Sequence, residues 1–143
     1  MEKRLKKKID YSKLGGKEQE NYNFAKTAAK LAEYGFSCCL ITADKHGADM
    51  IAYHIKSGDK FSIQLKGSRA TLDKKYRDKD IWIAYTDRNT NELCLYDHDK
   101  AMAIFEQGPG ALTESWQIKG GYSGTSLHNQ FNDIIIRLPF EDK

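Results

Sequence analysis

Ala48-Asp49-Met50-Ile51-Ala52-Tyr53-His54-Ile55, then Lys56-Ser57-Gly58-Asp59-Lys60, then Phe61-Ser62-Ile63-Gln64-Leu65-Lys66: this run decides how the chain folds. Both outer segments are rich in β-branched, aromatic and other apolar residues, which suit a pleated, half-buried surface. Ser57-Gly58-Asp59 between them carries turn chemistry. The reading is a β-hairpin with strands over 48–55 and 61–66. Along the second strand Phe61, Ile63 and Leu65 fall on one face, and Ser62, Gln64 and Lys66 on the other. A hairpin sets the start of its first strand beside the end of its second. Asp49 is therefore expected to meet Gln64 and Lys66.

On the N-terminal side, Phe24, Ala28, Leu31 and Ala32 repeat along one helical face, and the alanine-rich stretch favours helix. A helix is predicted over 17–34, capped by Gly35. A strand over 36–42 and a turn at Asp44-Lys45-His46-Gly47 lead into the hairpin. Beyond it, residues 69–79 are polar and basic and read as a short helix or a loop. Strands are predicted over 81–86 and 92–96, with a turn at 87–91. Asp97 caps a helix over 98–107 that Gly108-Pro109 ends. Gly120, Gly121 and Gly124 mark a loop, and 126–138 is read as a helix. The fold class is therefore mixed, α/β or α+β, with a central mixed sheet flanked by helices. The chain reads as one domain over 1–143: a basic arm (1–16), a core (17–97) and a C-terminal extension (98–143).

A 143-residue chain that is 40% hydrophobic and 30% charged can bury one sizeable core, which excludes wholesale disorder. Its longest apolar runs span a few residues, as at Ile134-Ile135-Ile136, far short of the roughly 20 a membrane helix needs. The expectation is therefore a protein with no membrane association. The basic start is followed by no apolar stretch, which argues against a signal peptide. Three cysteines, Cys38, Cys39 and Cys94, form neither a disulfide framework nor a zinc pattern. They are expected to be ordinary buried thiols of a cytoplasmic protein, with Cys38 and Cys39 on opposite faces of a strand.

The net charge of +3 says little, but its distribution says more. Lys3, Arg4, Lys6, Lys7 and Lys8 crowd the N-terminus, and Lys66, Arg69, Lys74, Lys75, Arg77 and Lys79 form a second cluster. Each cluster alone reads as a solvated surface; together they suit a polyanion. The second follows directly on the Asp49–Gln64–Lys66 constellation. An aspartate carboxylate and a glutamine amide oxygen are hard ligands that suit Mg²⁺. A lysine beside them can orient an attacking water and offset phosphate charge. Ser68 and Arg69 follow at once and could contact a phosphate. Taken singly, Asp49 reads as a turn residue and Gln64-Leu65-Lys66 as a solvent face. The combination with helix, hairpin and basic sequel is what carries chemistry.

At this point the stretch Gly47 to Ser68, with the helix ending in Tyr34-Gly35-Phe36, resembles the core of the PD-(D/E)XK nuclease superfamily, which is restriction-endonuclease-like. The resemblance covers roughly residues 17–86 and implies an αβββαβ core and metal-dependent hydrolysis of phosphodiester bonds. It gives Asp49 the role of metal-ligand aspartate and Lys66 that of catalytic lysine, with Gln64 and the Leu65 carbonyl completing the metal set. Mg²⁺ is the implied cofactor and Mn²⁺ its substitute. Gln64 stands where Glu or Asp is usual, as in some homing endonucleases, so the site has one negative charge fewer. The family often adds an acidic residue from the first helix. Glu20, one turn before Phe24, answers to that, and Asn23 is the alternative by its spacing from Gly35.

The implied function is a DNA endonuclease acting as a two-fold dimer. Lys6, Lys7, Lys8, Ser68, Arg69, Lys74, Lys75 and Arg77 would follow the phosphates. The alternative is a non-catalytic nucleic-acid-binding or protein-interaction module on the same fold. Outside this set, His46 lies near enough to approach the site, while Tyr96-Asp97-His98-Asp99 reads as a helix cap. Trp82, Tyr85 and Tyr53 read as sheet packing, and Trp116 and Tyr122 as aromatics open to a base or to a second subunit.

Overall fold

The computed structural model describes residues 1–42, 46–124 and 127–141, apart from the side chain of His128. Asp44 and Lys45 of the expected turn and Ser126 lie outside the described residues. A short helix α1 (Glu2–Leu5) and a 3₁₀ turn (Tyr11–Lys13) precede the long helix α2 (Gly16–Ala32). Strands β1 (Phe36–Leu40), β2 (Met50–His54) and β3 (Lys60–Leu65) follow as an antiparallel meander, with Gly35 at positive φ between α2 and β1 and Gly58 at positive φ in the β2–β3 turn. After β4 (Thr71–Asp73) and a 3₁₀ turn (Lys74–Tyr76), β5 (Ile81–Asp87) lies parallel to β3, and β6 (Glu92–Asp97) returns antiparallel. Helix α3 (His98–Glu106) starts on Asp97, whose carboxylate accepts from the backbone N–H of Asp99 and Lys100. The chain continues through β7 (Gly121–Ser123) and the short helix α4 (Leu127–Gln130) to β8 (Ile136–Pro139).

The main sheet has six strands in the order β1-β2-β3-β5-β6-β8, and β4 pairs with β7 in a separate two-stranded ribbon. Alternation along the strands gives the sheet two apolar faces. On the front, Met50, Ala52, Ile63, Ala84, Leu93 and Leu95 pack with Leu31 of α2. On the rear, Ile81, Ile83, Tyr85, Cys94 and Tyr96 pack under Leu72, Met102, Phe105, Trp116, Leu127 and Phe131. Helix α2 lies against β1, with lesser contact to β2 and β3. The rear cover is centred on β5 and β6. The rear cover is thus confined to one half of the sheet, while the front core runs from β2 to β6.

Four expectations are corrected here. The connection from β3 to β5 holds a strand and a single 3₁₀ turn where the αβββαβ pattern implied a helix. Ala70 and Leu72 alternate inward and anchor that segment as the rear ribbon, so its period is that of a strand. The reading of 126–138 as a helix holds only for α4; the remainder enters the sheet as β8. Residues 98–143 therefore supply both a strand and the rear core. Trp116 is 1% exposed and edge-on to Phe105, and Tyr122 packs on the same ring, so neither offers a face to a base. Of the cysteines, Cys94 is buried and Cys38 faces the front core, but Cys39 is exposed on the opposite face. No helix among the described residues is long and apolar enough to cross a membrane.

Candidate functional site

Asp49 sits just before β2, and three bonds fix it. Its backbone N–H donates to the Ile63 carbonyl at 2.8 Å, its own carbonyl accepts from Ile41 N–H at 2.9 Å, and its Oδ2 accepts from Leu65 N–H at 2.9 Å. The carboxylate thus bonds to the backbone between Gln64 and Lys66. Lys66 N–H donates to the Ala84 carbonyl at 2.8 Å, which ties the end of β3 to β5. Gly47, at a φ of +96°, lies so close to the Tyr76 ring that a Cβ would strike it. That close approach brings the β1–β2 loop against the basic crossover.

Alternation explains which face the site takes. Met50 and Ile63 point to the front core, so Asp49 and Gln64 point to the rear. There the rear cover stops short of β2 and β3, and both side chains stay half-buried. A polar cleft of about 650 Å³ opens at this corner, lined by Asp49, Gln64, Leu65 and Lys66 together with Lys17, Glu20 and Asn23 of α2 and Tyr11. A neighbouring hollow of about 510 Å³ adds His46, Lys75 and Tyr76 to the Asp49–Gln64–Lys66 set.

The four sequence-predicted metal and catalytic residues of the hairpin therefore line one cleft. The helix contribution divides between the two alternatives. Glu20 reaches the rim with its side chain 74% exposed and pairs with Lys17 at 3.7 Å. Asn23 lies deeper and donates from Nδ2 to the Tyr11 hydroxyl at 2.9 Å. His46 joins the neighbouring hollow, as its spacing from Asp49 suggested.

The basic residues behave unequally. Lys75 lines the neighbouring hollow, while Lys74 sits with its Nζ 5.1 Å from the Trp116 ring centroid. Arg77 pairs with Glu106 of α3 at 3.0 Å and stays partly exposed. Lys6, Lys7, Lys8, Ser68 and Arg69 are exposed and outside the cleft lining. Tyr11, which the sequence reading did not select, does line it, as does Lys17 at the end of the N-terminal basic run. Tyr11 was hidden within the basic arm; its carbonyl accepts from Gln19 Nε2 at 3.1 Å, which docks the arm on α2.

The donor chemistry can be tested against a metal ion. Asp49 contributes a carboxylate, Leu65 a carbonyl, and Gln64 an amide whose Nε2 donates to that carbonyl at 3.3 Å. A half-turn of the amide exchanges its nitrogen for its oxygen and presents a second neutral oxygen at the same point. One carboxylate and two neutral oxygens fit a single hard cation that keeps part of its water shell. Among the described residues no three His, Cys, Asp or Glu side chains converge, so the fit rests on this mixed oxygen set. Comparison of the chain with protein-family models, curated proteins and solved structures gives no match, and the functional reading rests on the geometry above.

Proposed function

We propose that the protein is a metal-dependent endonuclease that hydrolyses phosphodiester bonds, with DNA as its substrate and Asp49, Gln64 and Lys66 as its working residues. The observation that carries this reading is the bond from Leu65 N–H to Asp49 Oδ2, which holds the carboxylate between the two polar side chains of β3. Asp49, Gln64 and the Leu65 carbonyl would hold Mg²⁺ or Mn²⁺. When bound, the ion supplies Lewis acidity toward a phosphoryl oxygen and toward water. Lys66 orients the attacking water and offsets charge on the phosphate. Water adds to phosphorus, one P–O bond breaks, and the leaving oxygen takes a proton to become a hydroxyl. Lys75 in the neighbouring hollow and the exposed arm lysines hold flanking phosphates. A pair of such chains related by a two-fold axis would reach both strands.

A second reading has its own support. The Gln64 amide donates to the Leu65 carbonyl and so occupies one of the metal donors, as in a binding module without catalysis. Nicking of supercoiled plasmid in Mg²⁺ or Mn²⁺ separates the two. The nuclease reading expects nicking that Asp49→Ala and Lys66→Ala each abolish in folded protein. Unchanged nicking by Asp49→Ala overturns the site. DNA binding without nicking in either metal leaves the module.

A further inference from the structure

Beyond the cleft, a smaller hollow of about 270 Å³ opens between α2 and the turn that joins β5 to β6. Its cations are Lys26 and Arg88, and it shares Tyr11, Asn23 and Gly67 with the cleft that holds Asp49. Neither cation belongs to the basic clusters of the sequence. Both are positioned by aromatic rings. The Arg88 guanidinium carbon lies 4.7 Å from the Tyr11 ring centroid, and Lys26 Nζ lies 4.1 Å from that of Phe140. Tyr11 in turn packs on Tyr22, one helical turn before Lys26, with ring centroids 5.4 Å apart. Rings hold a cation in place without neutralising it. Among the described residues neither Lys26 nor Arg88 has an ion-pair partner, and the lining contains no carboxylate.

We infer that Lys26 and Arg88 form a phosphate subsite, which takes a backbone phosphate of the nucleic-acid strand whose neighbouring phosphate lies at Asp49. This inference rests on the nuclease reading and extends the substrate's path from the rear corner of the sheet, past Gly67, to the edge of α2. The electrostatics agree with the geometry. Burial and the nearby Arg88 charge both lower the Lys26 pKa, so the two cations repel and a bound anion relieves that repulsion. Thr86 and Asn91 line the same hollow and can donate hydrogen bonds to phosphate oxygens.

The test measures binding of a fluorescent duplex in Ca²⁺ as a function of salt, which does not require cleavage. The Lys26→Gln, Arg88→Gln double variant should bind more weakly and flatten the plot of log K against log salt by about 0.9, the value of one phosphate contact. A Lys100→Gln, Lys119→Gln double variant removes the same net charge from exposed positions outside the hollow and should leave the slope unchanged. Lys26→Arg should restore the slope that Lys26→Gln loses. Equal slopes for the two double variants overturn the subsite while leaving the nuclease reading intact. In a parallel arm, inorganic phosphate is titrated while the amide resonances of Thr86 and Asn91 are followed. If these move on adding phosphate but duplex binding ignores both substitutions, the hollow takes a free phosphate and the strand assignment falls. If wild-type protein binds no duplex, the nuclease reading falls, and still resonances in the phosphate arm remove the subsite as well.

Discussion

Two openings in the cover of the main sheet, one polar and one apolar, differ in chemistry. On the rear of β1–β3, Ser37, Cys39, Ile51, Tyr53, Ser62 and Gln64 face outward, with Asp49 and Lys66 at the corner. On the front, an apolar hollow of about 200 Å³ lies beside Leu31 and Tyr34, bordered by Phe36, Ala52, Phe61 and Ile63 of the meander and by Trp82, Leu95, Ile136 and Leu138 of β5, β6 and β8. The polar opening leaves Asp49, Gln64 and Lys66 half-buried along the cleft. The apolar opening lies between α2 and the sheet, and Ile136 at its margin is 48% exposed. The two openings therefore differ in what the strand pattern sends into them, mostly polar side chains at one and apolar side chains at the other.

The contrast can be broken by mutation. The largest effect belongs to the roofed region. Trp116→Ala empties a fully buried ring site against Phe105 and should cost about 3–5 kcal/mol. Ile136→Ala at the apolar opening should cost about 1 kcal/mol or less, because half of the side chain already meets water. Urea denaturation of the two variants measures the difference, and equal losses would erase the distinction between roofed and open.

At the polar opening the expected loss is in activity. Asp49→Asn keeps an acceptor for the Leu65 N–H and removes the charge. Cleavage should fall about 100-fold, roughly 2.7 kcal/mol in the barrier, with the melting temperature retained. Asp49→Ala also strands that N–H and should lower stability by about 1–2 kcal/mol. If both variants melt alike, the hydrogen bond does not position the site.

A smaller effect sharpens the role of Gln64. Gln64→Glu adds a second carboxylate beside Asp49 and should tighten Mg²⁺ binding about tenfold, or 1.4 kcal/mol. Calorimetric titration should give the affinity order Gln64→Glu, wild type, Asp49→Ala. Equal affinities for all three would remove the metal from the corner.

The smallest effect lies under the rear roof. His98 is fully buried; its Nε2 accepts from Asp73 N–H at 3.1 Å, and its Nδ1 lies 3.7 Å from Asp99 Oδ1. Burial lowers its pKa, and the pull of Asp99, Asp73 and Asp97 the other way does not undo this. The folded state therefore favours the neutral ring, while the unfolded chain takes up a proton near the ordinary imidazole value of about 6.5. The resulting stability is complete above that pH and is lost as pH falls below it. Urea midpoints at pH 7.5 and 5.5 should differ more in wild type than in His98→Gln. An equal pH dependence in the two would assign the loss to other groups.

The hairpin and α2 were legible because their signals are local. Period-two alternation fixed the faces of β3, Gly58 fixed the turn, and Phe24 and Leu31 fixed the helix stripe. From these the meeting of Asp49 with Gln64 and Lys66 followed. What the sequence concealed depends on distant partners. Ala70 and Leu72 lie among charges that mask a short strand, which gains its partner only from residues 121–123. Trp116 stands near glycines that suggest exposure, yet its ring is buried edge-on to Phe105 of another element. The ion pair of Arg77 with Glu106 was likewise hidden, because Glu106 sits on another element.

The pairing of β4 with β7 also bears on the order in which the molecule can be assembled. Residues 16–65 close α2 and the first meander through neighbours in the chain, whereas β4 must wait for Gly121–Ser123 and the rear face for Trp116, Leu127 and Phe131. During synthesis the corner bearing Asp49 therefore emerges well before the lid over Ile83, Tyr85 and Tyr96 exists. A nascent chain halted before that lid presents a bare aromatic sheet, the surface on which chaperones and self-association compete.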